Sequence, residues 1–246
     1  MPAPGASQDP ALREGGLGPI GEGLILADFD GTLAPGDSHA GLLRFILVRR
    51  RWPLLLFPLL ILGALLVLLP GRSFARGRGW GIPLIWWSIT LGLSPLAWRA
   101  WVRAYSASRP GLFVPARALL AGYHHRLWIV SASPRALVRG QLALALAHEP
   151  DGKPWPAHIE ATRLRYALGG LIPRHYCHGA AKITPVMARL KVALSLSDSL
   201  HDLPLLRLGR VAWLINPAPS LLRRVRTRLP HIVVKQWRLP ALPPRP

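Results

Sequence analysis

Leu24-Ile25-Leu26-Ala27-Asp28-Phe29-Asp30-Gly31-Thr32-Leu33 is the stretch whose reading decides the fold. Four apolar residues run without a break into an aspartate, which suits a strand buried on both faces of a parallel sheet. Asp28 and Asp30 lie two apart, so on an extended chain their carboxylates project to one side and can face one pocket. In such a pair one carboxylate can attack an electrophilic centre while the other handles the leaving oxygen's proton. Gly31 lets the chain turn sharply afterwards. Solvated acidic turns also contain D-x-D, but the apolar strand ahead of this one argues against that reading.

Working outward, similar runs recur. Leu127-Trp128-Ile129-Val130 ends in Ser131, Val192 to Leu196 comes shortly before Asp198, and Val211 to Ile215 is stopped by Asn216-Pro217. Helix-like stretches lie between them at Pro134 to His148 and Ala180 to Leu190. Alternating strands and helices predict an α/β doubly wound parallel sheet, with its ligand site at the carboxyl ends of the strands. The Ser131 hydroxyl and nearby amides can bind a phosphoryl oxygen there. Lys182, one of few lysines in an arginine-dominated chain, is a compact charge suited to a transferring phosphoryl group. Asp198 and Asp202 add carboxylates, which with water and phosphate oxygen are the ligands Mg²⁺ prefers.

The sequence DFDGTL, then a strand ending in Ser131, then Lys182, then SDSLHDLPLL, resembles the four ordered motifs of haloacid dehalogenase phosphatases from Leu24 to about Pro217. The resemblance implies a Rossmann-like core and an aspartyl-phosphate mechanism. Asp28 would be the nucleophile, Asp30 the general acid and then base, and Ser131 a holder of phosphoryl oxygen. Lys182 would neutralise charge, and Asp202 would orient Lys182 or a metal-bound water. It also implies a Mg²⁺ cofactor held by Asp28, Asp30 and Asp198, and a substrate contact at Asp37. Many relatives carry Gly where this chain has Ser197.

The first half departs from an ordinary soluble sequence. Hydrophobic residues make up 50% of the chain and charged ones 17%, where about a quarter is usual. The excess is concentrated in two charge-free stretches, 53–70 and 80–98. Each approaches the roughly 20 residues that cross a bilayer. Motifs on both sides of this segment must meet in one site, so a single span is excluded. Two spans or a re-entrant, interfacial hairpin remain. The loop between them carries Arg72, Arg76 and Arg78, a poor cargo to translocate, which favours the interfacial form. The expected division is a leader over 1–22, a core over 23–40 and 116–230, an inserted helical cap over 41–115 and a Pro-rich irregular tail over 231–246.

The net charge of +20 favours a polyanionic partner, either nucleic acid or an anionic lipid surface. Arginines flank the apolar hairpin and no aromatic-basic recognition motif stands out, so lipid is expected and nucleic acid is not. The layout of DFDGTL, hydrophobic hairpin, Arg-bearing loop, Trp-rich stretch and CHGAAK resembles the phosphatidylglycerophosphatase C group. That implies hydrolysis of phosphatidylglycerophosphate at the cytoplasmic face of a bacterial inner membrane. Other lipid or isoprenoid phosphates, a soluble phosphomonoester, or a non-catalytic cationic membrane protein are the alternatives. His124 and His125 read as surface loop and His201 as a spacer. His175, Cys177 and His178 lack a second ligand pair at zinc spacing.

Overall fold

β1 (Leu24–Ala27) stands in the middle of a seven-stranded sheet, with Ile25, Leu26 and Ala27 fully buried. The computed structural model describes residues 20–50, 55–68, 72–147 and 154–239, with backbone alone over 72–79. The other strands are β2 (Leu127–Pro134), β3 (His158–Ala167), β4 (Gly170–His175), β5 (Val192–Ser197), β6 (Val211–Ile215) and β7 (Val233–Lys235). Their order is β4-β3-β2-β1-β5-β6-β7, parallel except for the antiparallel β3–β4 pair. From β1 the chain builds outward to β2 and β3, then returns to the other side of β1 for β5, β6 and β7. That reversal opens a crevice at the carboxyl ends of the central strands. Asp28 and Asp198 follow β1 and β5 immediately.

Alternate residues of β1 feed opposite faces, as strand geometry requires. Ile25 and Ala27 join a cluster with Leu119, Leu120, Val138 and Leu142, while Leu26 joins one with Cys177, Met187 and Leu205. Leu119 and Leu120 come from α5 (Val114–Tyr123), Val138 and Leu142 from α6 (Arg135–Ala145), and Leu205 from the short α7 (Leu203–Leu206). On the far side α8 (Pro219–Arg226) packs Val225 against Leu214. Both faces are thereby covered.

Several expected elements differ. The helix anticipated over Pro134 to His148 runs from Arg135, and Pro134 ends β2 instead. The stretch Ala180 to Leu190 forms no α-helix: two 3₁₀ turns, Gly179–Lys182 and Met187–Arg189, are separated by a segment containing Pro185, which has no N–H to give a helix. The β3–β4 hairpin went unread, because its turn is Leu168-Gly169 with φ of 47° and 76° and its outer arginines mask the alternation. The tail is not wholly irregular, since Val233–Lys235 adds β7 and Trp237 is buried against Phe113. Likewise the end of the leader is pinned: Arg126 donates to the carbonyls of Ile20, Gly21 and Gly23. Residues 1–19 and 240–246 of the leader and tail lie outside the described residues.

Between β1 and α5 the chain inserts α1 (Ser38–Arg49), α2 (Phe57–Leu68), α3 (Arg72–Thr90) and α4 (Pro95–Ala107). Leu42 and Ile46 of α1, Trp86 and Ile89 of α3 and Trp98 and Val102 of α4 form one buried cluster, which reaches Leu171 of β4. Thr90 Oγ1 accepts the Leu171 N–H at 2.8 Å, and Trp87 donates to Leu168 O at 3.0 Å, so α3 is fastened to the hairpin. α2 packs on α3 through glycines: a Cβ at Gly81 would strike Gly63 O, and one at Gly63 would strike Ile85.

The apolar stretches are therefore not two long helices. α2 covers 12 residues, about 18 Å at the usual rise. Residues 53, 54, 69 and 70 of the first stretch lie outside the described residues. The second stretch breaks between Thr90 and Pro95, where Ser94 caps α4. Arg72 through Arg78 lie inside α3 rather than in a loop. Among the described residues no helix is long and apolar enough to cross a membrane.

Candidate active site

Asp28 is drawn into line by its N–H, which donates to Leu196 O at 3.0 Å and so extends the β1–β5 pairing by one residue. The Gly179–Lys182 turn brings Lys182 beneath it. Lys182 Nζ donates to Asp28 Oδ1 and to Asp202 Oδ2, both at 2.7 Å. Ser197 Oγ donates to the same Asp202 oxygen at 2.7 Å and accepts the Ser199 N–H at 3.1 Å. The serine that departs from the common glycine thus has a place: it helps hold Asp202. All three charges are buried, at 6% exposure or less. Burial works against the Lys182 ammonium, but the two carboxylates outweigh it and push its pKa up, keeping it charged. Asp28 is also pushed well up, by burial first, with Lys182 opposing and the Asp202 and Asp198 charges adding to the rise.

Asp30 is held separately. The Ser38 N–H at the start of α1 donates to its Oδ1 at 3.0 Å, and Ser133 Oγ donates to its Oδ2. Gln141 of α6 donates to Ser38 Oγ at 2.9 Å, so the insertion and the core meet at this carboxylate. Ser133 reaches Asp30 because the β2–β3 register shifts between Ser131 and Pro134, a bulge that re-aims the strand end. The same shift leaves Ser131 fully buried, with its hydroxyl accepting the Ser133 N–H at 3.1 Å, and it is Ala132 that lines the cavity. Burial pushes Asp30 up, against the hydrogen bonds from Ser133 and Ser38.

Gly31 has a φ of +72°, and a Cβ there would run into the Asp198 carboxylate. Only glycine meets both demands. Thr32 Oγ1 lies 3.5 Å from Asp198 Oδ1. Burial, then the Asp202 charge, raises Asp198 to about 6. Two crowded, desolvated carboxylates, Asp28 and Asp198, open on a cavity with room for water. That donor set fits Mg²⁺, which takes one or two carboxylates and keeps several waters. Among the described residues no group of three or more His, Cys, Asp or Glu side chains could hold a metal. Both Asp30 carboxylate oxygens already accept hydrogen bonds, from the Ser38 N–H and the Ser133 hydroxyl. Asp37 caps α1, accepting the Ala40 N–H at 2.9 Å, and lines the cavity.

The cavity has a volume of 530 Å³ and is lined by Asp28, Asp30, Asp37, Lys182, Asp198 and Asp202. His39, Phe113, Tyr176, His178 and Asn216 also line it, and sequence reasoning assigned none of them a role there. Asn216 has a φ of 46° and its side chain brackets the Trp237 backbone, accepting from N at 2.7 Å and donating to O at 3.1 Å. Tyr176 and His178 stack with ring centroids 5.5 Å apart. The Asn-Pro pair was a signal, read only as a strand stop. The rings had no signal, since they arrive from the insertion and from the end of β4. Cys177 is buried and its thiol is pushed up to about 12 by burial.

Residues 25–207 match the haloacid dehalogenase-like hydrolase family. No curated protein matches the chain. Similar solved structures include a protein of unknown function from Bordetella pertussis Tohama I, at 19% identity and a TM-score of 0.54, with 86% of this chain and 97% of that one covered. Cytosolic 5'-nucleotidase IIIB bound to cytidine is similar at 12% identity and a TM-score of 0.59, covering 87% and 80%. A probable phosphoserine phosphatase from Vibrio cholerae follows at 13% identity and 0.51, covering 85% and 59%. At such identities the likeness is one of fold.

Proposed function

The chain belongs to the haloacid dehalogenase-like hydrolases, and from that membership we propose that it is a phosphatase that cleaves phosphomonoesters through an aspartyl-phosphate. The observation that carries this reading is the buried bridge of Lys182 between Asp28 and Asp202, set beside a separately held Asp30. Asp28, with one oxygen held by Lys182, attacks phosphorus, and the bond to the alcohol oxygen breaks. Asp30 gives its proton to that oxygen. A burial-raised carboxyl is suited to the task, because it keeps a proton to give. Asp30 then takes a proton from water as the water's oxygen bonds to phosphorus, releasing inorganic phosphate and restoring Asp28. Lys182 stays charged throughout and offsets the charge that builds on the phosphoryl oxygens. Ser133 orients Asp30, and Ser197 and Asp202 orient Lys182. The end of β2, where Ala132 lines the cavity and Ser131 lies buried behind it, holds a phosphoryl oxygen in this reading. Mg²⁺ held by Asp28 and Asp198 supplies further positive charge when bound.

The substrate in this reading is a membrane lipid phosphate, first of all phosphatidylglycerophosphate, at the cytoplasmic face of a bacterial inner membrane. Support comes from α2, a charge-free helix with Phe57, Leu65 and Leu68 each more than half exposed, and from arginines around the insertion. A helix of about 18 Å is too short for a hydrocarbon core of about 30 Å but long enough to lie in the interface. A second reading, a soluble phosphomonoester, is favoured by the absence of a membrane-crossing helix among the described residues. The named nucleotidase and phosphoserine phosphatase share the fold and act on such esters.

Phosphate release from phosphatidylglycerophosphate in mixed micelles, with Mg²⁺, decides between them. Phosphatidate and a soluble phosphomonoester run beside it. Preferential turnover of phosphatidylglycerophosphate is expected, falling by about a thousandfold or more in Asp28→Asn. Turnover of the soluble ester alone, lost in the same variant, keeps the mechanism and overturns the lipid.

A further inference from the structure

His39 enters the cavity from α1 and meets Trp86 of α3, a fully buried ring. The Trp86 indole N–H donates to His39 Nε2 at 2.9 Å. An indole nitrogen can only donate, so Nε2 is the unprotonated nitrogen of the imidazole. Burial pushes the His39 pKa down, with nearby Asp37 only partly opposing it, so the ring is neutral. A neutral imidazole accepting at Nε2 carries its one proton on Nδ1. Among the described residues no acceptor takes that proton.

The ring is also fixed in place. Its centroid lies 5.3 Å from Trp86 and 6.0 Å from Tyr176, the latter edge-on at 77°. Trp86 is itself wedged against Trp98 at 6.0 Å, within the cluster that joins α1, α3 and α4. The cavity therefore presents a preset neutral donor among carboxylates, on the wall contributed by the insertion. Lys182, the cavity's ammonium, is committed to Asp28 and Asp202.

We propose that His39 Nδ1–H is the subsite for the alcohol half of the substrate. It donates to an oxygen on the carbon next to the ester, and so selects phosphomonoesters of glycerol-like alcohols over those of plain alkyl alcohols. This rests on the phosphatase reading above. A site built to hydrogen-bond a substrate hydroxyl discriminates strongly against the analogue lacking it, here by about tenfold or more.

Two measurements on the full chain test it. In ¹⁵N-histidine-labelled protein, the resonance lost in His39→Gln should show protonated Nδ1 and bare Nε2. Trp86→Phe, which removes the donor and keeps an aromatic ring, should release the ring towards the Nε2–H form. A spectrum showing Nε2–H in the unaltered protein overturns the proposal. Kinetically, phosphatidylglycerophosphate is compared with its 2′-deoxy counterpart, and glycerol 3-phosphate with propyl phosphate. The hydroxylated member should lead in kcat/KM by about tenfold in whichever pair is hydrolysed. His39→Gln should erase the lead, lowering kcat/KM for the hydroxylated member by about tenfold more than for its deoxy partner. His39→Asn, whose amide can replace the Nδ1 donor, should restore part of it. Equal hydrolysis within a pair, or a lead that survives His39→Gln, overturns the subsite alone. Hydrolysis of neither pair overturns the phosphatase reading and the subsite with it, while the tautomer is still decided by the spectrum.

Discussion

In the cleft, Lys182 and Asp202 are each 2% exposed and Lys182 meets both Asp28 and Asp202 at 2.7 Å, while on α2 Phe57, Leu65 and Leu68 stand 56%, 57% and 73% exposed with no charge among them. The usual distribution is inverted in both places. Burying three charges costs several kcal/mol per ion before their attraction repays it. Leaving a row of leucines in water forfeits about 25 cal/mol for each Å² that could have been covered. Neither arrangement serves the stability of an isolated chain. The cleft holds its charges because chemistry on a phosphoryl group needs them preset, and under the lipid reading proposed above the apolar face of α2 would lie against a bilayer.

The largest effect is expected where the cleft is broken. Lys182→Ala leaves two facing carboxylates without their cation, and should cost ~3–5 kcal/mol of folding stability in urea denaturation as well as activity. A loss under about 1 kcal/mol would mean that the buried charges are not mutually dependent. α2 should respond in the opposite way. Leu62→Asp with Leu65→Asp falls on exposed positions, so stability should change by less than about 1 kcal/mol. Binding to anionic phosphatidylglycerol vesicles in a flotation assay should fall by about tenfold or more. Unchanged vesicle binding would remove the membrane role of α2 and leave the soluble-substrate reading.

The smallest effect is a pH dependence. Asp198 is raised to about 6, by burial and then by Asp202, so between the usual carboxylate range and about 6 the folded chain holds a proton that the unfolded chain has lost. The sign is then set: without metal, stability falls as pH rises through that window. Mg²⁺ must displace the same proton, so its stabilising shift in Tm should grow as pH rises through about 6 and level off above it. Measured on either side of that pH, a Tm shift that does not depend on pH would show that Asp198 is not a ligand.

How legible each region was follows from the range of its interactions. The motif residues were readable because each is attached to its strand: an apolar run ending at Asp28, another just before Asp198. Ser131 was placed on the right strand, and the structure buries it with its hydroxyl accepting the Ser133 N–H. The bulge that aims Ser133 at Asp30 instead is set by pairing with β3, which no local pattern announces. The helix expected at Ala180 to Leu190 failed because residues that suit a helix were held in tight turns, which carry Lys182 under Asp28. The charge-free stretches were rightly seen as unusual, but their length in sequence overstated their length as helices. Thr90 to Pro95 turns back so that Gly92 can donate to Gly169 O at 2.7 Å.

By itself the sequence determined the strand-ending aspartates, their order along the chain and the family's chemistry, because periodicity and motif spacing are properties of short segments. Tertiary structure alone decided which donors surround each carboxylate, that Ser197 braces Asp202, and that Trp86 dictates the protonated nitrogen of His39. The two rings of that last pair are 47 residues apart in the chain, and their meeting depends on α1, α3 and α4 packing into one cluster. Hydrogen-bond partners across such separations are fixed by packing, which no window of sequence contains.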